Sequence, residues 1–561
     1  MSECEEKVYA EEYYDLLIDY NRVENFLIPE CMQRISEILD VGYYYGIGMP
    51  ALDVQEYTYT SIPNCFSLTD ISALDVSNIL ILQNQPTLNL KGQGVMVGFV
   101  DTGIAYQNPL FRNNDGSTRI AAIWDQTLAG GRHPEGFLYG TLFEQDELDA
   151  ALRSEEPLRL VPTEDRNGHG TFLAGIAAGG EDPGANYIGA VPEATIVVVK
   201  CKEAKQNIRS YYCITENAVC YQENDILAGV SFLHQFAEQK GMPLVICIAM
   251  GTNMGSHTGN SPLSVYLNGI GARRGRAITI AVGNEANMRH HYYGQNMSQG
   301  SVDNVEISVG KGVEGFTMEL WAAASELYQV GILSPTGELY QPVTGVGAQS
   351  GEHLFYFENT RVMISYAVVQ GSSASQMIFI RFQQPLQGIW TLRVTARRVI
   401  RGEYHIWLPV QAFLTGNVFF LRSNPDVTAT VPSYTPSAVS VGAYHASNSI
   451  LYPDSGRGYS ADQAIKPDLA APGVDVKGPL PAGGYTTRTG TSVSAAITAG
   501  ACTQLLQWGI VQRNNITLNS AQIGAILIRG ARRNAERSYP NREWGYGALD
   551  VYEALNQLRD I

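Results

Sequence analysis

The sequence predicts an α/β protein built on a doubly wound parallel sheet, with a small α+β unit before the sheet and an all-β domain inserted into it. Short apolar runs alternate with helical patterns between residues 95 and 282, as in βαβ units. Residues 300–424 contain short alternating runs separated by turns, which is typical of a β-sandwich or jelly roll. The chain is therefore divided into segments 1–60, 61–299, 300–424 and 425–561.

The first segment is too short to bury much surface by itself. Its pattern predicts a strand over Tyr13–Tyr20, an amphipathic helix over Glu30–Leu39 and a strand over Val41–Ile47. The stretch Asp53–Thr60 is polar and Tyr-rich, which suits an exposed junction. We therefore expect a small α+β unit followed by an accessible connection.

Four apolar runs in the second segment predict strands of the parallel sheet. They cover residues 95–100, 195–200, 244–249 and 278–282. Helical patterns at 172–178 and 225–239 lie between them. Functional residues of open α/β sheets lie at the carboxyl ends of strands, so Asp101 and the loops at 249–251 and 283–284 are candidates.

The third segment consists of strand-like runs with turn signals between many of them. The runs are 316–321, 329–333, 354–357, 362–369, 377–382, 389–394 and 404–408. Strand-like sequence resumes at 438–443, and helical patterns cover much of 519–558. The core sheet is thus expected to continue after the insertion.

Three short motifs place reactive groups at a strand end or a helix start. Asp101 begins the sequence D-T-G, His169 lies in N-G-H-G-T, and Ser492 lies in G-T-S before a helical run of small residues. A serine is a weak nucleophile that needs a base and an orienting group. At a helix N-terminus, free N–H groups and the helix dipole favour a developing anion. Asn284, after another strand, offers an amide donor.

The order Asp, His, Asn, Ser, each at a strand end or helix start, resembles the subtilisin-like serine proteases. The resemblance implies that Ser492 attacks the substrate, His169 transfers the proton, Asp101 orients the imidazole and Asn284 stabilises the oxyanion. The alternative for each residue is a structural one, as a helix cap, a turn residue or a buried histidine. The resemblance also implies a protein or peptide substrate and peptide-bond hydrolysis. We expect no cofactor, and no metal, since acidic clusters such as Glu144 to Asp149 lack the spacing of a calcium loop.

The same resemblance implies a substrate-binding strand. Ala249, Met250 and Gly251 stand where the family pairs its backbone with an extended substrate, and Gly283 precedes the oxyanion residue. An ordinary strand end is the alternative interpretation. Met250 indicates an apolar wall but does not give a cleavage preference.

The family carries an inhibitory prodomain before its core, so residues 1–60 are expected to be a prodomain that stays bound after cleavage. The sequence from Ser61 resembles the start of mature family members. We therefore expect Ser492 to cut the chain close to the Thr60–Ser61 bond.

The form of the nucleophile motif, the insertion and the absence of a signal sequence resemble the Csp germination proteases of spore-forming clostridia. That branch activates the precursor of a spore-cortex hydrolase. A general intracellular protease and a non-catalytic Csp-like scaffold are the alternatives. The chain departs from compact family members at Ala496 and Ile497, where a proline and a histidine are usual, and at Phe172, where many have a histidine.

Composition narrows the choice of partners. The net charge of −17 argues against a nucleic acid or an anionic membrane surface, and the longest apolar runs are too short for a membrane span.

The acidic N-terminus lacks the apolar core of a signal peptide, so we expect a cytoplasmic or spore-associated protein with reduced cysteines. The pair His290–His291 lacks ligand partners at metal-site spacing.

Overall fold

A computed structural model describes the chain at residues 13–19, 29, 31–34, 39–46, 48–49, 72–342, 351–369 and 375–558. The chain divides into two compact units, Met1–Leu68 and Thr69–Ile561. The predicted cleavage bond between Thr60 and Ser61 lies outside the described residues. Within the described residues, no helix has both the length and the apolar character needed to span a membrane.

The first unit contains an antiparallel sheet with the order β1-β3-β2. Its strands are β1 (Tyr13–Asp19), β2 (Cys31–Arg34) and β3 (Leu39–Tyr45). The helix predicted over Glu30–Leu39 is wrong at the residues described there, because residues 31–34 pair with residues 40–43 of β3. Backbone pairing to a neighbouring strand thus overrides the local helical periodicity. The two other predicted strands are confirmed.

The second unit begins with the first part of a large sheet. Its strands are β4 (Met96–Asp101), β5 (Ile120–Asp125), β6 (Thr141–Glu144), β7 (Thr195–Lys200), β8 (Leu244–Ile248) and β9 (Arg276–Ala281). Strands β4 and β9 are buried along their whole length, as a parallel sheet covered on both faces requires. The four strands predicted in this segment are therefore confirmed.

The next part of the chain forms two antiparallel sheets. Their strands are β10 (His291–Gly294), β11 (Val302–Val309), β12 (Gly315–Ala323), β13 (Leu327–Leu333), β14 (Leu339–Tyr340), β15 (Gly351–Phe355), β16 (Thr360–Val369), β17 (Ser375–Gln383), β18 (Gly388–Arg398), β19 (Tyr404–Trp407) and β20 (Val418–Phe420). The sheet orders are β10-β19-β12-β17-β16-β15 and β14-β13-β18-β11-β20. Apolar side chains from both sheets, including Phe316 and Trp390, share one core. That these sheets form an inserted domain bounded at 300 and 424 stays a prediction.

The large sheet is then completed by β21 (Val439–Tyr444) and β22 (Leu469–Pro472), and β23 (Val476–Pro479) forms a hairpin with β24 (Tyr485–Arg488). The sheet order is β22-β21-β9-β8-β4-β7-β5-β6, and only the β5–β6 pair is antiparallel. After β4 the chain forms β5, β6 and β7 on one side of β4, and then crosses to the other side to form β8. The point where the strand order reverses therefore lies between β4 and β8, where α/β sheets bind ligands.

Helices cover both faces of this sheet. In the described part of the second unit they are α1 (Ser72–Val76), α2 (Ile79–Asn84), α3 (Gln145–Leu152), α4 (Pro157–Leu160), α5 (His169–Ala178), α6 (Gln206–Tyr211), α7 (Glu223–Gln239), α8 (Pro262–Gly271), α9 (Thr491–Leu506), α10 (Ser520–Gly530) and α11 (Val551–Asn556). Helices α5 and α9 belong to the hydrophobic core on one face, and α7 and α8 to the core on the other. Helix α9 is buried almost all round, which explains its many alanines and glycines.

The cysteines are not all reduced thiols. Cys31 is disulfide-bonded, so the expectation of reduced cysteines is wrong at this position. Within the described residues, Cys201, Cys213, Cys220, Cys247 and Cys502 are free.

Candidate active site

Asp101 is the last residue of the buried strand β4. Its side chain is only 3% exposed, and one carboxylate oxygen accepts a hydrogen bond from the backbone N–H of Thr102 at 2.7 Å. The next residue, Gly103, has a φ of +116°, so the chain turns away from the sheet directly after the carboxylate. The strand thus presents a buried, fixed acceptor at the reversal point of the sheet.

His169 is the first residue of helix α5 and is 29% exposed. Its Nδ1 lies 2.8 Å from Asp101 Oδ1 and 3.0 Å from Oδ2. When Nδ1 carries the proton and donates it to Asp101, Nε2 keeps a free lone pair. The close packing requires Gly170, because a Cβ there would lie 2.2 Å from the carbonyl oxygen of Gly103.

Asp165 fixes the turn that leads into His169, and the sequence analysis did not identify it. Its Oδ1 accepts hydrogen bonds from Thr102 Oγ1 and from the N–H of Gly168, both at 2.8 Å. Its Oδ2 accepts from the N–H of Thr171 at 2.8 Å and from the hydroxyl of Thr171 at 2.6 Å. One buried carboxylate therefore joins the residue after Asp101 to both sides of His169. An aspartate three residues before a glycine was the available signal, since it indicates a turn.

The pKa of His169 lies above its ordinary value of 6.5. Burial lowers this pKa, but the negative charge of Asp101 and the hydrogen bond to it raise it, with a further contribution from the charge of Asp165. The positive charge of Arg488 opposes this rise. The imidazole therefore binds a proton more readily than an unperturbed histidine does.

Ser492 is the second residue of helix α9. Its hydroxyl donates a hydrogen bond to the carbonyl oxygen of Ala249 at 3.3 Å, and among the described residues no hydrogen bond within 3.5 Å joins it to His169. Distances between a nucleophile and its base are often long before substrate binds. In the first turn of the helix, the N–H of Ser492 has no intrahelical acceptor and remains available to an anion.

Asn284 lies beside the start of this helix. Its Oδ1 accepts hydrogen bonds from the N–H of Thr491 at 3.1 Å and from the Thr491 hydroxyl at 3.3 Å. Because the oxygen is occupied, the amide nitrogen Nδ2 is the end left to donate. A Cβ on Gly490 would lie 3.3 Å from this nitrogen, so the amide stands against the backbone just before the nucleophile.

The predicted substrate-binding residues lie at the same edge of the sheet. Ala249 and Met250, directly after β8, are half-buried, and Gly251 is exposed. Two backbone hydrogen bonds, of 3.0 and 2.8 Å, then join Thr252 to Val431. The segment 249–251 therefore continues an extended backbone that has solvent access.

Thr430 is a second residue that the sequence analysis missed. A Cβ on Gly251 would lie 2.1 Å from Thr430 Oγ1, and a Cβ on Gly283 would lie 2.5 Å from Thr430 Cγ2. The buried threonine thus fills the space between the loops at 251 and 283. Its hydroxyl has no hydrogen-bond partner among the described residues. Both glycines are needed at this close approach.

Two buried glutamates join these loops to the part of the chain that forms the antiparallel sheets and their connections. Glu319 of β12 accepts a hydrogen bond from the N–H of Gly255 at 2.9 Å, and burial raises the pKa of Glu319 although its hydrogen bonds oppose the rise. Glu285, directly after the predicted oxyanion residue, accepts from the amide of Asn253 and from the N–H of Gln411, both at 3.3 Å. The loop after 251 is therefore bonded to strand β12, and the loop after 284 to the segment between β19 and β20.

The histidine pair lies beside this connection. His290 Nδ1 is 2.9 Å from Glu285 Oε2, and His291 Nε2 is 2.9 Å from His405 Nδ1. The ring of His291 stacks on that of Trp407 with centroids 5.0 Å apart. Within the described residues, no group of three or more His, Cys, Asp or Glu side chains is placed to hold a metal ion.

Solved structures of several proteases are similar to this chain. The CspB protease of Clostridium perfringens has 28% sequence identity and a TM-score of 0.77, over 87% of this chain and 99% of the CspB chain. Sphericase has 15% identity and a TM-score of 0.42, covering 84% of this chain and 97% of its own. A mutant of the protease domain of PatA has 14% identity and a TM-score of 0.42, covering 84% and 98%. No curated protein matches the chain.

The family comparison covers the segments that carry all of the predicted site residues except the cleavage bond. The model of the subtilase family matches residues 92–337 and 410–547, which is more than half of the chain. The chain therefore belongs to the subtilase family.

Proposed function

We propose that this chain is an active serine endopeptidase that hydrolyses peptide bonds by acyl transfer. The observation that carries the proposal is the contact of His169 Nδ1 with both oxygens of the buried Asp101 carboxylate, at 2.8 and 3.0 Å. Ser492 attacks the scissile carbonyl, and His169 takes its proton and later gives it to the leaving amine. Asp101 holds the tautomer of the imidazole and stabilises its charged form.

The developing oxyanion is bound by two donors. These are the Nδ2 group of Asn284 and the backbone N–H of Ser492 at the start of helix α9. Both are held before substrate arrives, since the amide oxygen of Asn284 is engaged by Thr491 and the N–H belongs to a rigid helix. The acyl half of the substrate pairs with Ala249, Met250 and Gly251 in an extended conformation.

Labelling with a fluorophosphonate probe tests the nucleophile. We expect covalent labelling of the purified chain and its loss in Ser492→Ala. Ser494→Ala is the matched control, because the Ser494 hydroxyl is buried and donates to the carbonyls of Ala471 and Pro472 at 3.0 and 3.2 Å. Labelling that persists in Ser492→Ala, or that disappears in Ser494→Ala alone, would contradict the assignment.

The proposed task is limited proteolysis of a protein precursor, such as the zymogen of a spore-cortex hydrolase during germination. The 28% identity to the CspB protease supports this task. The proteomes of spores carrying wild type or Ser492→Ala test it, because the precursor should persist uncut in the variant. Broad loss of many unrelated proteins in wild type would instead favour a general protease.

We also propose that residues 1–60 act as a prodomain and that Ser492 cuts close to the Thr60–Ser61 bond. The subtilisin-like proteases carry an inhibitory prodomain at this place in the chain, and we expect the released segment to act in the same way. Mass spectrometry of wild type and Ser492→Ala tests this: only the wild type should yield two fragments. If both variants are cut at one place, another protease is responsible.

One observation favours a non-catalytic scaffold as the second candidate. The Ser492 hydroxyl bonds to the carbonyl of Ala249 at 3.3 Å and not to His169. A scaffold should show no probe labelling even after removal of the first segment. Labelling of the wild type would reject this candidate.

A further inference from the structure

The β23–β24 hairpin packs on the first turns of helix α5, directly beside His169. Gly478 of the hairpin lies against Phe172, because a Cβ there would come within 2.7 Å of the phenylalanine ring. Pro479 lies against Gly175, where a Cβ would approach the proline ring to 2.2 Å. The hairpin thus forms a wall on the His169 side of the site, and Phe172 is part of its base.

Arg488, the last residue of β24, projects from this wall over the same phenylalanine. Its guanidinium carbon lies 5.1 Å from the centroid of the Phe172 ring, which is within the range of a cation–π contact. One guanidinium nitrogen also lies 3.5 Å from the carbonyl oxygen of Asn167, two residues before His169. The side chain is half-buried, and its contacts with Phe172 and Asn167 hold the charge beside His169.

This charge has no carboxylate partner in the described part of the chain. Among those residues, no Asp or Glu oxygen lies within 4.0 Å of the Arg488 guanidinium. By contrast, the neighbouring Arg166 pairs with Glu164 at 3.1 Å. A fixed and unpaired cation beside a candidate active site is suited to bind an anionic group of a ligand.

The direction of peptide hydrolysis decides which part of the substrate meets this cation. The acyl half lies along 249–251, and the base returns its proton to the leaving amine, so the residues after the scissile bond lie on the His169 side. Arg488 contacts Phe172 and Asn167, which flank His169 in sequence. The cation therefore stands beside the leaving half of the substrate.

We propose that Arg488 selects substrates with an aspartate or glutamate in the first or second residue after the scissile bond. This inference rests on the proposed protease function. A partly exposed ion pair is expected to favour an acidic over a neutral residue by up to about fivefold in kcat/KM. Because the guanidinium is already held on Phe172, little further ordering is needed when the anion binds.

Digestion of an unbiased peptide library, with the cut sites identified by mass spectrometry, tests the proposal on the purified full chain. For wild type we expect enrichment of Asp and Glu by about fivefold at one of the first two positions after the cut. Arg488→Gln should abolish this enrichment, Arg488→Lys should retain part of it, and Arg488→Glu should shift it towards Lys and Arg. The thermal midpoint of each variant checks its folding.

Arg537→Gln is the matched control. Its guanidinium also stacks on an aromatic ring, 4.5 Å from the centroid of Trp544, but in the C-terminal segment away from His169. This variant should keep the wild-type enrichment. Cleavage by wild type without acidic enrichment, or enrichment that is the same in Arg488→Gln, would overturn the role of Arg488 alone. Absence of any cleavage by wild type would overturn the protease function and this inference with it.

Discussion

Replacement of Asp165 by asparagine tests whether one carboxylate holds His169 in place. The two oxygens of Asp165 accept four hydrogen bonds, two each, at distances of 2.6 to 2.8 Å. An asparagine keeps one acceptor oxygen and turns an NH2 group towards the other two donors. On either side one of these donors is a threonine hydroxyl, which can rotate and accept from the NH2 group, but the other is a backbone N–H, whose bond is lost. At about 1.5–3 kcal/mol for a bond to a charged group, the free energy of unfolding should fall by about 1.5–3 kcal/mol.

Activity should fall together with stability. The turn from Asp165 to Thr171 carries His169, and a displacement of about 1 Å in a reacting group can reduce the rate about 100-fold. Urea titration gives the stability change, and kcat/KM on a peptide found by library digestion gives the activity. The pH profile of kcat/KM is an independent test. Loss of the Asp165 charge removes one contribution that raises the pKa of His169, so the acidic limb of this profile should move to lower pH.

Asp125→Asn is the control for this experiment. Asp125 is also fully buried and accepts bonds from Thr127, from the Thr163 hydroxyl at 2.6 Å and from Lys200 at 3.2 Å, but it does not bond the turn that carries His169. We expect a comparable loss of stability with a much smaller loss of kcat/KM. If Asp165→Asn keeps both the urea midpoint and kcat/KM of wild type, the positioning role of Asp165 is refuted.

Three other predictions concern the same site. Asn284→Ala should lower kcat by about 10²–10³ and leave KM nearly unchanged, because only the oxyanion donor is lost; an unchanged kcat would remove Asn284 from the site. In wild type, kcat/KM should rise with pH through a midpoint above 6.5, because His169 must be neutral to act as a base and the charge of Asp101 raises the pKa of His169. A midpoint below 6.5 would contradict the direction of this pKa shift. Glu319→Gln should raise KM more than it lowers kcat, because it weakens the hydrogen bond from the N–H of Gly255, which follows the proposed substrate-binding segment. A change in kcat alone, measured by steady-state kinetics, would disprove this prediction.

The large sheet is the part of the fold that the sequence predicts well. Buried strands such as β4 and β8 are continuous apolar runs, and their carboxyl ends can be read directly from the residues that follow. Asp101 ends strand β4 and His169 begins helix α5, and these two residues, 68 positions apart, are in contact in the structure. Their pairing was expected from the resemblance of the motifs to the subtilisin-like proteases, because neither strand nor helix pattern by itself says which ends meet.

The residues that support the site were not predictable in the same way. Asp165 lies in a sequence that indicates only a turn, and its partner Thr102 is 63 positions earlier in the chain. Glu319 lies in a strand whose alternating pattern predicts the face on which its side chain lies. The pattern does not predict which loop that side chain contacts. The helix predicted over Glu30–Leu39 is wrong at residues 31–34 for the same reason, since the pairing of β2 with β3 decides the conformation there. Long-range contacts of this kind leave no local periodicity.

The position of Thr430 in the sequence affects when the cleft between the loops at 251 and 283 can form during synthesis. Thr430 lies 147 positions after Gly283 (430 − 283), on the far side of the antiparallel sheets. During synthesis, the loops at 251 and 283 are made long before the residue that spaces them, and Ser492 follows later still. Such distant contacts form late in folding. A nascent chain thus contains no assembled cleft until most of it has been made.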